Sequence, residues 1–102
     1  MNRTKIINYL SNVKYKYAKE GLNIKGLFGS YSRNEANKNS DIDILIEATP
    51  KFAEIYGFKA IARLEEIKKE ISKELGKNID FADISGMGKS AKKFIIDKAI
   101  YV

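Results

Sequence analysis

Two aspartates alternate with isoleucine in the run Ser40-Asp41-Ile42-Asp43-Ile44-Leu45-Ile46. Successive side chains of a strand point to opposite faces, so Asp41 and Asp43 share one face, their Cβ atoms about 6.5–7 Å apart. From that spacing two carboxylates can converge on one cation, or on two cations about 3.5–4 Å apart. A paired charge at the edge of so apolar a strand is costly unless something positive meets it, most simply a divalent metal. The chain has no histidine and no cysteine. Imidazole and thiolate ligands are therefore excluded, as is a histidine general base. Oxygen ligands alone favour Mg²⁺, Mn²⁺ or Ca²⁺ over zinc.

Upstream lies a second feature. Gly29-Ser30 follows the apolar pair Leu27-Phe28, and ten residues separate Ser30 from Asp41. The composition predicts a strand over Asn23–Phe28, then a short helix over Ser30–Ala36, then a turn over Asn37–Ser40. Backbone N–H groups at the opening of such a helix, with its dipole, receive a phosphate. Taken alone, Gly-Ser reads more simply as a serine capping a helix. Beside paired carboxylates it reads as a phosphate site next to a cation site, which is what a metal–nucleotide complex requires. Asp80 in the predicted strand Asn78–Ile84 would add a third carboxylate, able to bind a metal or accept a hydroxyl proton. Asp83 falls on the opposite face and reads as a solvated strand end.

These residues need elements to hold them. Ile6, Ile7, Leu10, Val13 and Tyr17 form one helical face within residues 2–20, and Gly21 stops the helix. Gly26 within the first strand marks either a close backbone approach or a merely tolerated glycine. The continuous apolar run after Asp43 suggests a central, buried strand. Helical spacing runs from Lys51 to Leu75, with Gly57 as a point where two helices could divide. A last helix is expected over Lys89–Lys98, then a short strand within Ala99–Val102. The order predicts an α/β or α+β fold in one domain spanning residues 1–102, a small sheet with helices mainly on one side.

The net charge is +6, from 16 Lys and 3 Arg against 13 acids in 102 residues. Such a balance can serve nucleic acid, nucleotides or an acidic protein partner. The lysines are spread through the predicted helices and read as a solvated face, so nucleic acid is not expected as a partner. No apolar run approaches the roughly 18 residues of a membrane span, and a cytoplasmic protein is the default expectation.

The run GSYSRNEANKNSDIDILIE resembles the nucleotidyltransferase signature of the DNA polymerase beta superfamily, in which Gly-Ser, ten residues and Asp-x-Asp follow one another. Arg33, Ser40 before the first aspartate, Asp80 between apolar neighbours, and the closing stretch Phe94–Val102 are similar to the minimal nucleotidyltransferases in particular. Many relatives have Gly where Asn34 stands, and Asn tolerates the left-handed conformation well. The resemblance implies a polymerase-beta-like fold with a small mixed sheet, and transfer of a nucleoside monophosphate from an NTP, dependent on two Mg²⁺ ions (or Mn²⁺). It implies that Gly29, Ser30, Arg33 and Ser40 bind the nucleotide, and that Asp41, Asp43 and Asp80 are the metal-binding and catalytic residues.

Larger relatives carry an acceptor domain in the same polypeptide, so a second protein is expected to supply it here. The family implies an antitoxin paired with a HEPN-domain toxin in a hetero-oligomer, moving AMP from ATP to a tyrosine of that ribonuclease. A non-catalytic antitoxin acting by contact, and a transferase acting on a small molecule or RNA, are the alternative readings.

Overall fold

The computed structural model describes residues 2–102, except for the side chain of Ile96. Helix α1 spans Arg3–Ala18, opened by Asn2, whose side chain accepts the Lys5 N–H at 2.9 Å. Strands β1 (Leu22–Phe28) and β2 (Ile42–Ala48) follow. Helix α2 (Pro50–Tyr56) and helix α3 (Ala60–Leu75) are divided by a single 3₁₀ turn at Gly57–Lys59, so Gly57 does split the long helical pattern. Strand β3 (Ile79–Asp83), helix α4 (Lys89–Lys98) and strand β4 (Ile100–Tyr101) complete the chain.

The strands form one mixed sheet in the order β3-β2-β1-β4. β1 pairs antiparallel with both β2 and β4, whereas β2 and β3 run parallel. A parallel pair needs a long crossover, and α2 with α3 provides it. Helices α1, α2 and α3 lie on one face. Ile6, Leu10 and Tyr17 of α1, Phe52 of α2, and Ile67, Ile71 and Leu75 of α3 pack there on Ile42, Ile44 and Ile46 of β2. Those three isoleucines are wholly buried. Each contributes about 1.5–3 kcal/mol by leaving water, which holds β2 in the middle of the sheet and fixes which way its aspartates point.

One irregularity in β1 decides the geometry of the site. Leu22 and Ile24 face the helices opposite Ala48 and Ile46, but the next core residue is Leu27 opposite Ile44, three positions on. The pairing shifts between Ile24 and Gly26, so the chain carries a β-bulge there, and the extra residue reverses the in–out alternation. Without it Leu27 would leave the core. With it Phe28 lands opposite Asp43, on the face away from the helices. Gly26 is required for the close approach of β4, since a Cβ there would stand 2.3 Å from the Ile100 carbonyl oxygen.

The predicted helix over Ser30–Ala36 does not form. The segment makes one tight turn, in which the Arg33 N–H donates to the Gly29 carbonyl at 3.2 Å and the Glu35 N–H to the Ser30 carbonyl at 2.8 Å. Tyr31 is drawn into the core, and the Ser32 hydroxyl donates to the Gly29 carbonyl at 2.8 Å. These two anchors, with Asn34 in the left-handed region at φ 59°, turn the chain away before a second helical turn can add. Asn34 thus holds the conformation expected of it. Among the described residues no helix is long and apolar enough to cross a membrane.

Candidate active site

The carboxylates line up across the β2–β3 ladder. Asp43 is the register partner of Asp80, as Ile42 is of Ile79 and Ile44 of Phe81. Ile42, Ile44 and Ile79 face the core, so the alternation puts Asp43 and Asp80 together on the opposite face. Asp41 precedes β2 by one residue, is exposed, and stands close enough to bear electrostatically on Asp43. Alternation thus puts Asp43 and Asp80 on one face, while Asp41 stands beside them from the residue before β2.

Asp43 is half-buried at the centre of this row. Burial, and then the charges of Asp80 and Asp41, push its carboxyl above the usual range, while Arg33 opposes them. Repulsion of this kind persists until a cation enters. The carboxylates are not drawn into a closed cage: among the described residues no three acidic groups already stand close enough to hold a metal ion. The donor set nevertheless fits a hard divalent cation. It is all oxygen, it carries excess negative charge, and both Asp41 and Asp80 are exposed and free to turn inward.

Gly29 abuts this row on the β1 side. Its φ is +75°, and a Cβ added to it would lie 2.1 Å from Asp43 Oδ2. The turn backbone therefore touches the central carboxylate, and no larger residue fits. Ser30 follows, half-exposed, its hydroxyl without a hydrogen-bond partner among the described residues. Because the following segment is a turn, helix capping does not explain Ser30, and no helix dipole strengthens the site. The donors available to an anion are the hydroxyl and the backbone of the turn itself.

The remaining sequence candidates are placed less directly. Arg33 is exposed and paired with Glu35 at 3.0 Å, yet near enough to lower the Asp43 carboxyl. Ser40 closes the loop before Asp41: its Oγ accepts the Asn37 N–H at 2.9 Å, and its own N–H donates to the Asn37 carbonyl at 3.0 Å. Asp83 is not a merely solvated strand end. Its Oδ1 accepts from Ser85 N–H at 2.9 Å, from the Ser85 hydroxyl at 2.7 Å and from Ala48 N–H at 3.3 Å, so it fastens the chain after β3 to the end of β2.

Three contributors escaped the sequence reading. Ser32 pins the Gly29 carbonyl, Arg3 of α1 donates to the Ser32 carbonyl at 3.1 Å, and Phe28 lies beside Asp43. Only Ser32 left a signal, a hydroxyl three residues after the glycine whose carbonyl it caps.

Asp43 and Asp80 on adjacent strands, Asp41 one residue ahead of β2, and the Gly-Ser turn against Asp43 make up the candidate site. The chain belongs to the nucleotidyltransferase domain family, whose model matches residues 25–102, and it is an enzyme of that class. It is 36% identical over 84 residues to a chain of Methanocaldococcus jannaschii named as a candidate protein adenylyltransferase, covering 82% of this chain and 83% of that one. It is 34% identical over 77 residues to the protein adenylyltransferase MntA of Thermococcus cleftensis, covering 76% and 71%. Among solved structures, a candidate minimal nucleotidyltransferase superposes with a TM-score of 0.76 at 24% identity, covering 100% of this chain and 97% of that one. It shows the fold. A toxin–antitoxin structure with AMP-PNP matches at a TM-score of 0.64 and 26% identity, over 99% and 72%.

Proposed function

We propose that this chain, as one catalytic domain, transfers AMP from ATP to a tyrosine of a HEPN-domain ribonuclease toxin and thereby acts as its antitoxin. The observation that carries the reading is the register of β2 on β3, which sets Asp43 beside Asp80 with Gly29 pressed against Asp43. The relatives named protein adenylyltransferase, and the toxin–antitoxin structure with an ATP analogue, support the acceptor class and the nucleotide.

In this reading Asp41, Asp43 and Asp80 hold Mg²⁺, as two ions, with Mn²⁺ able to replace it. Bound metal would neutralise phosphate charge and ease the departure of pyrophosphate. Gly29 leaves room for the triphosphate, and the Ser30 hydroxyl and turn N–H groups donate to its oxygens. Arg33 exchanges Glu35 for a phosphate oxygen. Ser40 holds the loop that aims Asp41. Asp80, exposed at the edge strand, takes the proton of the tyrosine hydroxyl as its oxygen bonds to the α-phosphorus. The bond to pyrophosphate breaks in the same displacement. Positioning and charge neutralisation supply the rate.

The test is to incubate the chain with the toxin encoded beside it, ATP and Mg²⁺, then weigh the toxin by intact mass spectrometry. One or more AMP units should appear on a tyrosine as ribonuclease activity falls. Ser30→Ala and Asp41→Asn should each stop the modification. If Asp41→Asn silences the toxin fully at equal concentration with no mass change, contact suffices and the antitoxin does not act by catalysis.

A further inference from the structure

Beyond the carboxylate row, on the side away from Gly29, the surface falls into two adjoining hollows of about 610 and 350 Å³. They share Asp41, Ser72 and Asn78, so they form one continuous groove between α3 and the leading ends of β2 and β3. Lys38, Lys73 and Lys77 line one part, and Lys68 and Lys69 line the other beside Asp80. Two of these lysines are engaged. Lys77 Nζ donates to the Lys38 carbonyl at 2.5 Å, and Lys68 pairs with Glu65 at 3.2 Å and lies over the Phe81 ring. Lys69 and Lys73 are exposed and have no ion-pair partner among the described residues.

The groove meets β3, the edge strand of the sheet, at its first two residues, Ile79 and Asp80. An edge strand offers backbone groups to an extended chain, and it does so here next to the carboxylate assigned to the attacking hydroxyl. None of the lining residues is aromatic or arginine. Single-stranded nucleic acid is gripped by stacking platforms, which this groove lacks. Lysine ammonium groups, as mobile point charges, suit carboxylates on a flexible polypeptide.

We infer that this lysine groove is the acceptor's docking channel, taking an extended acidic segment that delivers its hydroxyl to Asp80 from the β3 edge. The nucleotide then occupies the Gly29–Ser30 flank and the acceptor the opposite flank of one carboxylate row. This rests on the nucleotidyl-transfer reading but concerns only how the acceptor is recognised.

The probe is a fluorescein-labelled peptide with tyrosine flanked by glutamates, followed by anisotropy in Mg²⁺ with and without AMP-PNP. Controls are the same peptide with lysines for glutamates, and oligouridylate. The variant is Lys69→Glu/Lys73→Glu, two exposed positions outside the catalytic machinery. Reversing two surface charges should weaken the acidic peptide about tenfold. AMP-PNP affinity by calorimetry should stay within about twofold, because the sites are on separate flanks. Lys69→Gln/Lys73→Gln should act in the same direction with smaller size, without placing acid at the C-terminal end of α3.

Unchanged affinity for the acidic peptide in both variants overturns the inference, as does preferential loss of oligouridylate or equal binding of the basic peptide. Failure of the wild type to bind AMP-PNP would count against the nucleotidyl-transfer reading instead. Peptide binding in Mg²⁺ alone is read independently of it.

Discussion

Gly29→Ala should damage the protein by two separable routes. At φ +75° an alanine is held in the left-handed region, at a cost of about 1–2 kcal/mol. Its Cβ would also lie 2.1 Å from Asp43 Oδ2 and 3.0 Å from Asp43 Cγ, so the carboxylate must swing aside. Driving that side chain off its rotamer costs about 0.5–1.5 kcal/mol. Together these give about 2–3 kcal/mol, or a fall in Tm of roughly 10–20 °C for a domain of this size. Urea denaturation of the metal-free protein measures it, and a double-mutant cycle with Asp43→Ala divides it. Removing the carboxylate should recover about 1 kcal/mol of the penalty, the part due to collision, and leave the backbone part in place. Mg²⁺–ATP binding should be lost in Gly29→Ala even where the protein is folded, since the swung carboxylate no longer faces the site. A cost below about 0.5 kcal/mol, or the same cost in both backgrounds, would refute the close contact of Gly29 with Asp43.

Asp43→Asn should leave the metal-free protein at least as stable as wild type at pH 7, because burial and two neighbouring aspartates disfavour its charge. An acid with a raised folded-state pKa costs stability above that value, and the cost fades as pH falls toward the ordinary 3.8. Denaturation in EDTA at a series of pH values should show the two proteins converging in acid, whereas Mg²⁺–ATP should stabilise only the wild type. Asp80→Asn should abolish transfer and largely spare nucleotide binding. Asp83→Ala should instead cost about 1–2 kcal/mol of stability by freeing the Ser85 and Ala48 donors, with transfer surviving in the folded fraction. Arg63, paired with Glu20 at 2.7 Å and Glu70 at 3.0 Å, should cost about 2 kcal/mol when changed to Met. Arg63 holds Glu20 below the usual carboxylate range, and the Tyr17 hydroxyl, then Arg63, does the same for Glu70. That contribution is present above pH 4.5 and lost below it, so the gap between wild type and Arg63→Met should close in acid.

The sequence alone determined much of what depends on short-range period. The alternation in Asp41-Ile42-Asp43-Ile44 predicts that the two aspartates share a face, and Ile79-Asp80-Phe81 favours Asp80 over Asp83 as their neighbour. The apolar run after Asp43 placed β2 at the centre of the sheet, and Gly57 marked the break between α2 and α3. Tertiary structure decided what depends on residues far apart in the chain. The register of β2 against β3, which pairs Asp43 with Asp80, follows from burial of Ile42, Ile44 and Ile79 under the helices. The bulge before Gly26 answers to β4, which approaches from the far end of the chain, and its one extra residue changes which side Phe28 faces. The local pattern of Ser30–Ala36 favoured a helix, but burial of Tyr31 and the hydrogen bond from Ser32 to Gly29 outweighed it. The lysine groove is assembled from the loop before Asp41, the last turns of α3 and the start of β3. In sequence its lysines are scattered and read as a solvated face. Only packing of α3 across the sheet brings their like charges together, beside the carboxylates they complement.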